Sequence, residues 1–264
     1  MRYFDAHCHV QFDDYADDQA TLLERMRERE IGGVVVGVDQ RSSEEALDLA
    51  ERHDELWAAV GTHPNRIAQE PFDHDFYAAL ARHPKVVAVG ECGLDYYRPS
   101  ELTSEVKRAQ QAALRAHADL AAEFGKPLVI HARPSKGTQD AYRDLIAIVR
   151  EKNVQHGGRL RGDVHFFVGG LEEAHALFAL DFTISFTAVI TFAHEYDAVI
   201  RAVPLERILS ETDAPYVAPA SRRHERNDPL AVEEVVRRIA EIRGEDEDAV
   251  REAILANARG LFGV

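Results

Sequence analysis

A chain of 264 residues with 45% hydrophobic side chains is long enough to bury one large core and too apolar to stay disordered. Its formal net charge of −15 excludes a broad nucleic-acid-binding surface, because phosphate affinity rests on clustered Lys and Arg, so any contact with nucleic acid must be local. Two cysteines, Cys8 and Cys92, exclude a disulfide framework; no apolar run reaches membrane-spanning length and no basic-then-apolar leader opens the chain, so we expect a cytoplasmic protein with no membrane contact.

In chain order, short β-branched or apolar runs alternate with longer segments whose apolar residues recur at helical spacing, the signature of βα units around a parallel sheet. Eight strands are expected, in residues 2–10, 32–38, 56–63, 85–94, 126–132, 161–167, 181–187 and 207–215. Helical patterns lie between them. Residues 18–30 carry one. Residues 42–53 carry another, opening at Ser42 with Glu45 three positions on as a capping box. The longest pattern, 102–125, closes at Gly125. After the eighth strand, Asp228 stands as an N-cap before Pro229, and a last helix from Asp246 ends near Gly260 or Gly263. No repeat, low-complexity tract or Pro/Gly/Ser-rich linker interrupts residues 1–264, which read as a single domain. A closed (β/α)8 TIM-type barrel explains the count and order best, with an open doubly wound sheet as the alternative.

Catalytic groups of a barrel belong at the C-terminal ends of its strands, and there this chain puts its least strand-like residues. Asp5, His7 and His9 end the first strand, Glu91 the fourth, His131 the fifth, His165 the sixth and Asp213 the eighth. Spacing of two puts Asp5, His7 and His9 on one face and turns Cys8 to the other, where it reads as a packing residue, as does Cys92. One histidine at a strand end is ordinary. Five apolar strands each ending in His, Glu or Asp crowd ionisable groups at one mouth, which is costly unless they are paired or hold a metal. Neutral imidazoles with carboxylates suit Zn, Mn, Fe or Ni, and the carboxylates admit Mg. Seven candidates exceed what one ion takes, so two divalent ions are expected. Glu91 is read as their bridge, His7, His9 and Asp213 as completing one site, and His131 and His165 the other. Asp213 is placed to take a proton from an activated water, and Asp5 to orient a ligand.

The segments FDAHCHV (4–10), GTHP (61–64), GECGLDYYR (90–98), IHAR (130–133), ETDAPYVAP (211–219), RND (226–228) and NARGLFG (257–263) resemble, in this order, the TatD-type metal-dependent hydrolases of the amidohydrolase superfamily. That resemblance spans nearly the whole chain. It implies a TIM-type barrel, a one- or two-metal centre, and hydrolysis most often described as DNase activity removing nucleotides from a 3′ end. Position by position it implies His7, His9, Glu91, His131, His165 and Asp213 as ligands. His63 matches a position near the substrate, with a turn-stabilising role before Pro64 standing level as a reading. Arg98, Arg133 and the loop with Arg222, Arg223 and Arg226 follow strand ends, where guanidinium groups can clamp phosphate bidentately, although each Arg taken alone reads first as a solvated or ion-paired surface residue.

The chain also departs from the family pattern. Asn65 stands where His is frequent, Pro134 and Ser135 stand where an acidic residue often follows the Arg, and VHFFVGG replaces the more usual HCFSG. No proposed ligand is lost, but the substrate pocket is altered. The main expectation is a metal-dependent phosphodiesterase acting on DNA at the barrel mouth, with no obligate protein partner. The alternatives are an ester or amide hydrolase, such as an aminoacyl-tRNA deacylase or small-molecule amidohydrolase, and a noncatalytic metal-binding protein.

Overall fold

The computed structural model describes residues 1–99 and 102–264. Among them, eight strands, β1 (Tyr3–Cys8), β2 (Ile31–Val36), β3 (Leu56–Val60), β4 (Val86–Asp95), β5 (Leu128–Arg133), β6 (Gly162–His165), β7 (Phe182–Phe186) and β8 (Ile208–Ser210), pair in parallel in sequence order. Helices α1 (Gln19–Glu28), α2 (Gln40–Arg52), α3 (His74–Ala81), α4 (Ser104–Phe124), α5 (Asp140–Gln155), α6 (Leu171–Phe178), α7 (Asp197–Ala202), α8 (Val232–Arg243) and α9 (Glu247–Phe262) fill the connections and the C-terminus.

The choice between closed barrel and open sheet is made at the seam between β1 and β8. Cys8 forms a parallel bridge with Ala214, the Asp213 N–H donates to the His7 carbonyl at 2.9 Å, and the His9 N–H donates to the Ala214 carbonyl at 2.8 Å. The first and last strands therefore meet just where both carry candidate ligands, and the fold is a nearly closed (β/α)8 barrel.

Two apolar clusters lie on the two faces of the strands, with the two-residue alternation interrupted in β1, where the register shifts between Asp5 and Cys8. Outward-facing Val35, Ala58, Val60, Leu128, Ile130, Val164 and Ile184 meet the helices. Inward-facing Phe4, Ala6, Val34, Val36, Ala59, Val129 and Leu209 meet Leu255, Ala258, Leu261 and Phe262 of α9, with Phe4 and Phe262 stacked at 5.9 Å between ring centroids. Each fully buried Val, Leu, Ile or Phe among them contributes roughly 1.5–3 kcal/mol over exposure, enough in sum to tolerate a polar barrel mouth. Cys8 and Cys92 are both buried in the outer cluster, as packing residues. No helix of the described residues is long and apolar enough to cross a membrane.

Some element boundaries differ from expectation, each for a local reason. Helix α2 begins at Gln40, because Asp39 is the N-cap: its carboxylate accepts from the Ser42 N–H at 2.9 Å while the Ser42 hydroxyl accepts from the Asp39 N–H at 3.1 Å. Ser42 is thus the far member of the capping box and Glu45 takes no part in it. Asp228 does cap, accepting from the Leu230 N–H, but the turn that begins at Pro229 is a 3-10 turn, Pro229–Ala231, ahead of α8. Helix α4 stops at Gly125 (φ 63°), while α9 runs through Gly260 and stops at Gly263 (φ 72°), the positions where a left-handed residue is required.

Candidate metal centre

The strand ends bring the six expected ligands into one cluster, buried except for the partly exposed Asp213, beneath a cavity of about 1440 Å³. His7 and His9 come from the end of β1, Glu91 from β4, His131 from β5, His165 from β6, and Asp213 from the turn after β8. Glu91 can occupy the centre because β4 has glycine on either side of it. A Cβ at Gly90 (φ 149°) would stand 2.3 Å from the Val129 carbonyl oxygen, and one at Gly93 (φ 137°) 2.0 Å from that of His131. Only glycine lets β4 lie so close to β5.

The Glu91 carboxylate divides the imidazoles into two sets. Its Oε2 lies 3.4 Å from His7 Nε2 and 4.0 Å from His9 Nε2, while Asp213 Oδ1 lies 3.4 Å from His9 Nε2 and 3.9 Å from His7 Nε2. Its Oε1 lies 2.9 Å from His165 Nε2, 3.1 Å from His131 Nδ1 and 3.5 Å from His63 Nε2. Among the described residues, groups in this barrel mouth able to surround a cation include His7, His9, Glu91 and Glu91, His131, His165.

Tautomers decide which nitrogens can be ligands. His9 Nδ1 lies 2.7 Å from the Val36 carbonyl, so it carries the proton and Nε2 presents its lone pair to Asp213 and Glu91. His131 Nε2 faces Asp95 Oδ2 at 3.3 Å, which leaves Nδ1 toward Glu91. His63 Nδ1 accepts from the Asn65 N–H at 3.1 Å, so the neutral ring carries its proton on Nε2. His63 therefore presents a hydrogen-bond donor to the cavity, and burial pushes its pKa down to about 3, keeping it neutral.

The residues fit divalent cations on a direct observation. His7 Nε2 and His9 Nε2 face each other at 3.2 Å, as do His131 Nδ1 and His165 Nε2 at 3.3 Å, and His7 Nδ1 is buried with no hydrogen-bond partner among the described residues. Two such nitrogen pairs beside carboxylates need positive charge between them. Protonation supplies it in part. Burial opposes a charged His165, but Glu91 and Glu211 outweigh it and hold the imidazole well above its usual range; against the same burial, Asp213 raises His9, and Asp95 with Glu91 raises His131. Burial likewise opposes a charged Glu91, yet His165, His63 and His131 keep its carboxyl well below the usual range.

Three buried residues outside the expected set support it. Asp95 accepts from the Tyr97 and Arg98 N–H groups at 3.0 and 2.9 Å and from Asn65 Nδ2 at 2.8 Å while facing His131. Glu211 accepts from the Phe166 N–H at 2.6 Å and faces His165 Nδ1 at 3.6 Å. Asn227 Nδ2 donates to the Thr212 and Val217 carbonyls at 3.0 and 3.3 Å, pinning the turn that carries Asp213. The signal for all three was an acidic or amide residue inside a quoted motif, LDYYR, ETDAP and RND. Asp5 accepts from the Thr212 N–H and hydroxyl and from the His7 N–H, so it ties the ends of β1 and β8 through backbone instead of gripping a ligand ring.

The arginines divide. Arg98 and Arg133 line the cavity, Arg98 reaching to 3.8 Å from Asp95 and Arg133 lying over the Tyr97 ring at 4.4 Å. Arg222 and Arg226, offered above both as phosphate clamps and as ion-paired surface residues, are found in ion pairs. Arg222 forks onto Asp228 at 2.7 and 2.8 Å, and Arg226 onto Asp18 at 2.6 and 3.0 Å, both away from the cavity in a separate surface cleft. Arg223 lies over the Phe192 ring at 3.8 Å.

Comparison with known proteins adds the following. The family model described as TatD related DNase matches residues 4–263. An uncharacterized metal-dependent hydrolase, YabD, of Bacillus subtilis (strain 168) is 33% identical over 268 residues, covering 99% of each chain. A 3′-5′ ssDNA/RNA exonuclease, TatD, of Escherichia fergusonii is 30% identical over 270 residues, again covering 99% of each. The crystal structure of YjjV, a TatD homolog from Escherichia coli K12, superposes with a TM-score of 0.88 at 28% identity, over 100% of this chain and 98% of that one.

Proposed function

The chain belongs to the TatD-related DNase family and is a metal-dependent hydrolase; from that premise we propose that it cleaves phosphodiester bonds of single-stranded nucleic acid, removing nucleotides from a 3′ end at the barrel mouth. The observation that carries the two-ion form of this reading is the division of the Glu91 oxygens between the His7–His9 pair and the His131–His165 pair. His7, His9, Asp213 and Glu91 would hold one divalent cation, and His131, His165 and Glu91 the other. When bound, they would supply Lewis acidity toward the phosphodiester and a nucleophilic water near neutral pH.

The chain's own groups do the remaining work. Burial opposes ionisation of Asp213, but His9, His165 and His7 outweigh it, so the carboxylate stays charged and able to take a proton. Its side chain is 16% exposed, toward the cavity that receives the substrate. His63 donates from Nε2 to a phosphate oxygen, and Arg98 and Arg133 bring positive charge to the rim of an otherwise acidic molecule. The two buried, unpaired cysteines suit the cytoplasm as its compartment.

Release of nucleotide from 3′-labelled single-stranded DNA, with Mg or Mn restored after chelation, tests this. Asp213→Asn and Glu91→Gln should each lower the rate by about 10²- to 10⁴-fold with the fold retained by circular dichroism. Full activity in either variant, or in the chelated protein, would remove the mechanism.

A further inference from the structure

Of the large aromatic side chains near the site, Tyr97 and Tyr216 are the exposed ones among the described residues, and of these two Tyr216 is the one without a guanidinium over its ring. Tyr15, Tyr77 and Tyr142 are fully buried, and Tyr97 carries the Arg133 guanidinium on its face. Tyr216 is 49% exposed, lines the cavity, and meets His9 edge-on with ring centroids 6.2 Å apart at 70°. Phe12 lies flat on the other side of this corner, stacked on His9 at 4.6 Å and 8°.

Leaving so large a ring in water gains nothing for folding, yet its backbone is firmly held. The Tyr216 N–H donates to the Asp213 carbonyl at 2.9 Å, Asn227 binds the carbonyls of Thr212, Pro215 and Val217 around it, and the Tyr15 hydroxyl binds the Asn227 carbonyl at 2.7 Å. The ring's attachment is therefore fixed relative to Asp213, which is what a pre-organised contact with substrate requires.

We propose that Tyr216 is the stacking platform for the nucleobase of the nucleotide adjoining the scissile phosphate. This rests on the nuclease reading above and deepens it. Every base offers a π-face, so the platform holds DNA or RNA ends with little regard to sequence. It also answers the charge of −15: a chain that gains little from displacing counterions obtains affinity from stacking, which salt leaves largely intact.

The test compares the metal-loaded wild type, Tyr216→Ala and Tyr216→Phe on 3′-labelled single-stranded oligonucleotides with an ordinary end, or with a tetrahydrofuran abasic site at the last or the next-to-last position. Tyr216→Ala should raise KM on the ordinary end by about 5- to 100-fold at low and high salt alike, and Tyr216→Phe should restore it. The Ala penalty should vanish for one of the two abasic positions. Equal KM for wild type and Tyr216→Ala on the ordinary end, or an equal Ala penalty on all three substrates, overturns the proposal while leaving the nuclease reading in place. If the wild type cleaves none of them, the nuclease reading itself fails. Calorimetric binding of deoxynucleoside 5′-monophosphates against deoxyribose 5-phosphate then decides for Tyr216: a preference for the base lost in Tyr216→Ala supports stacking, and no preference overturns it.

Discussion

His117 shows what a buried imidazole does here when it faces no carboxylate. On α4 and fully buried, its Nδ1 donates to the Ala113 carbonyl at 2.8 Å and its Nε2 accepts from the Thr62 N–H at 3.0 Å. Burial pushes its pKa down to about 4, the opposite direction from His165, which sits between Glu91 and Glu211. Because the folded value lies below the unfolded one, the unfolded chain binds the extra proton between about pH 4 and 6.5. The stability that this neutral histidine contributes is present above about 6.5 and is lost as pH falls, by at most about 1.4 kcal/mol per pH unit and roughly 3 kcal/mol in all. Urea unfolding at pH 7, 6 and 5 should show this slope, and His117→Gln should flatten it; an unchanged slope in the variant would assign the effect elsewhere. At this scale the gathering of the six expected residues at one barrel mouth was legible because each is an ionisable residue within or just after an apolar strand run. Asp95 and Glu211 were not singled out, because a carboxylate that supports another residue's ring looks in sequence like any acidic loop residue. For Arg222 and Arg226 the ion partners, Asp228 and Asp18, could only be identified once the loops were in place.

The eight strands and helices α1, α2, α4, α8 and α9 were legible in the sequence, whereas α3, α5, α6 and α7 were given no bounds and β8 stops at Ser210 where a strand to 215 was expected; the misses are informative. Ser42 and Asp39 are both good capping types, and the sequence pattern alone prefers the one with an acidic residue three positions on. The fold prefers Asp39, since α2 packs on β3 from that earlier start. Asp39→Ala should therefore cost about 1 kcal/mol, a fall in Tm of about 2 °C in a chain of this size, while Glu45→Ala should leave Tm nearly unchanged. The reverse ranking in calorimetry would restore the Ser42 start. In β4, the pair of glycines around Glu91 was visible as letters. Their reason, the carbonyls of Val129 and His131 pressing where side chains would be, required the neighbouring strand.

For the molecule as a whole, metal binding and pH are one equilibrium. His165, His131 and His9 hold protons more tightly than free histidine because buried carboxylates face them, so cations must displace those protons. Mn binding should release protons at pH 7, and affinity should already fall on the alkaline side of pH 6.5 and continue falling as pH drops. Titration calorimetry in two buffers of different ionisation enthalpy measures the release. Bound metal at 100 times its Kd should add about 2.7 kcal/mol of stability, a gain that shrinks with pH. No proton release at pH 7 would count against histidine ligation. The sequence by itself determined the eight-strand order and the residues at the strand ends, because periodicity and residue chemistry are local properties. Only the tertiary structure decided that β1 meets β8 at Cys8 and Ala214, that the two oxygens of Glu91 face different histidine pairs, and that Arg226 is already held by Asp18. Those are distances between residues far apart in the chain, set by how strands close and helices pack, and no spacing along the sequence encodes them.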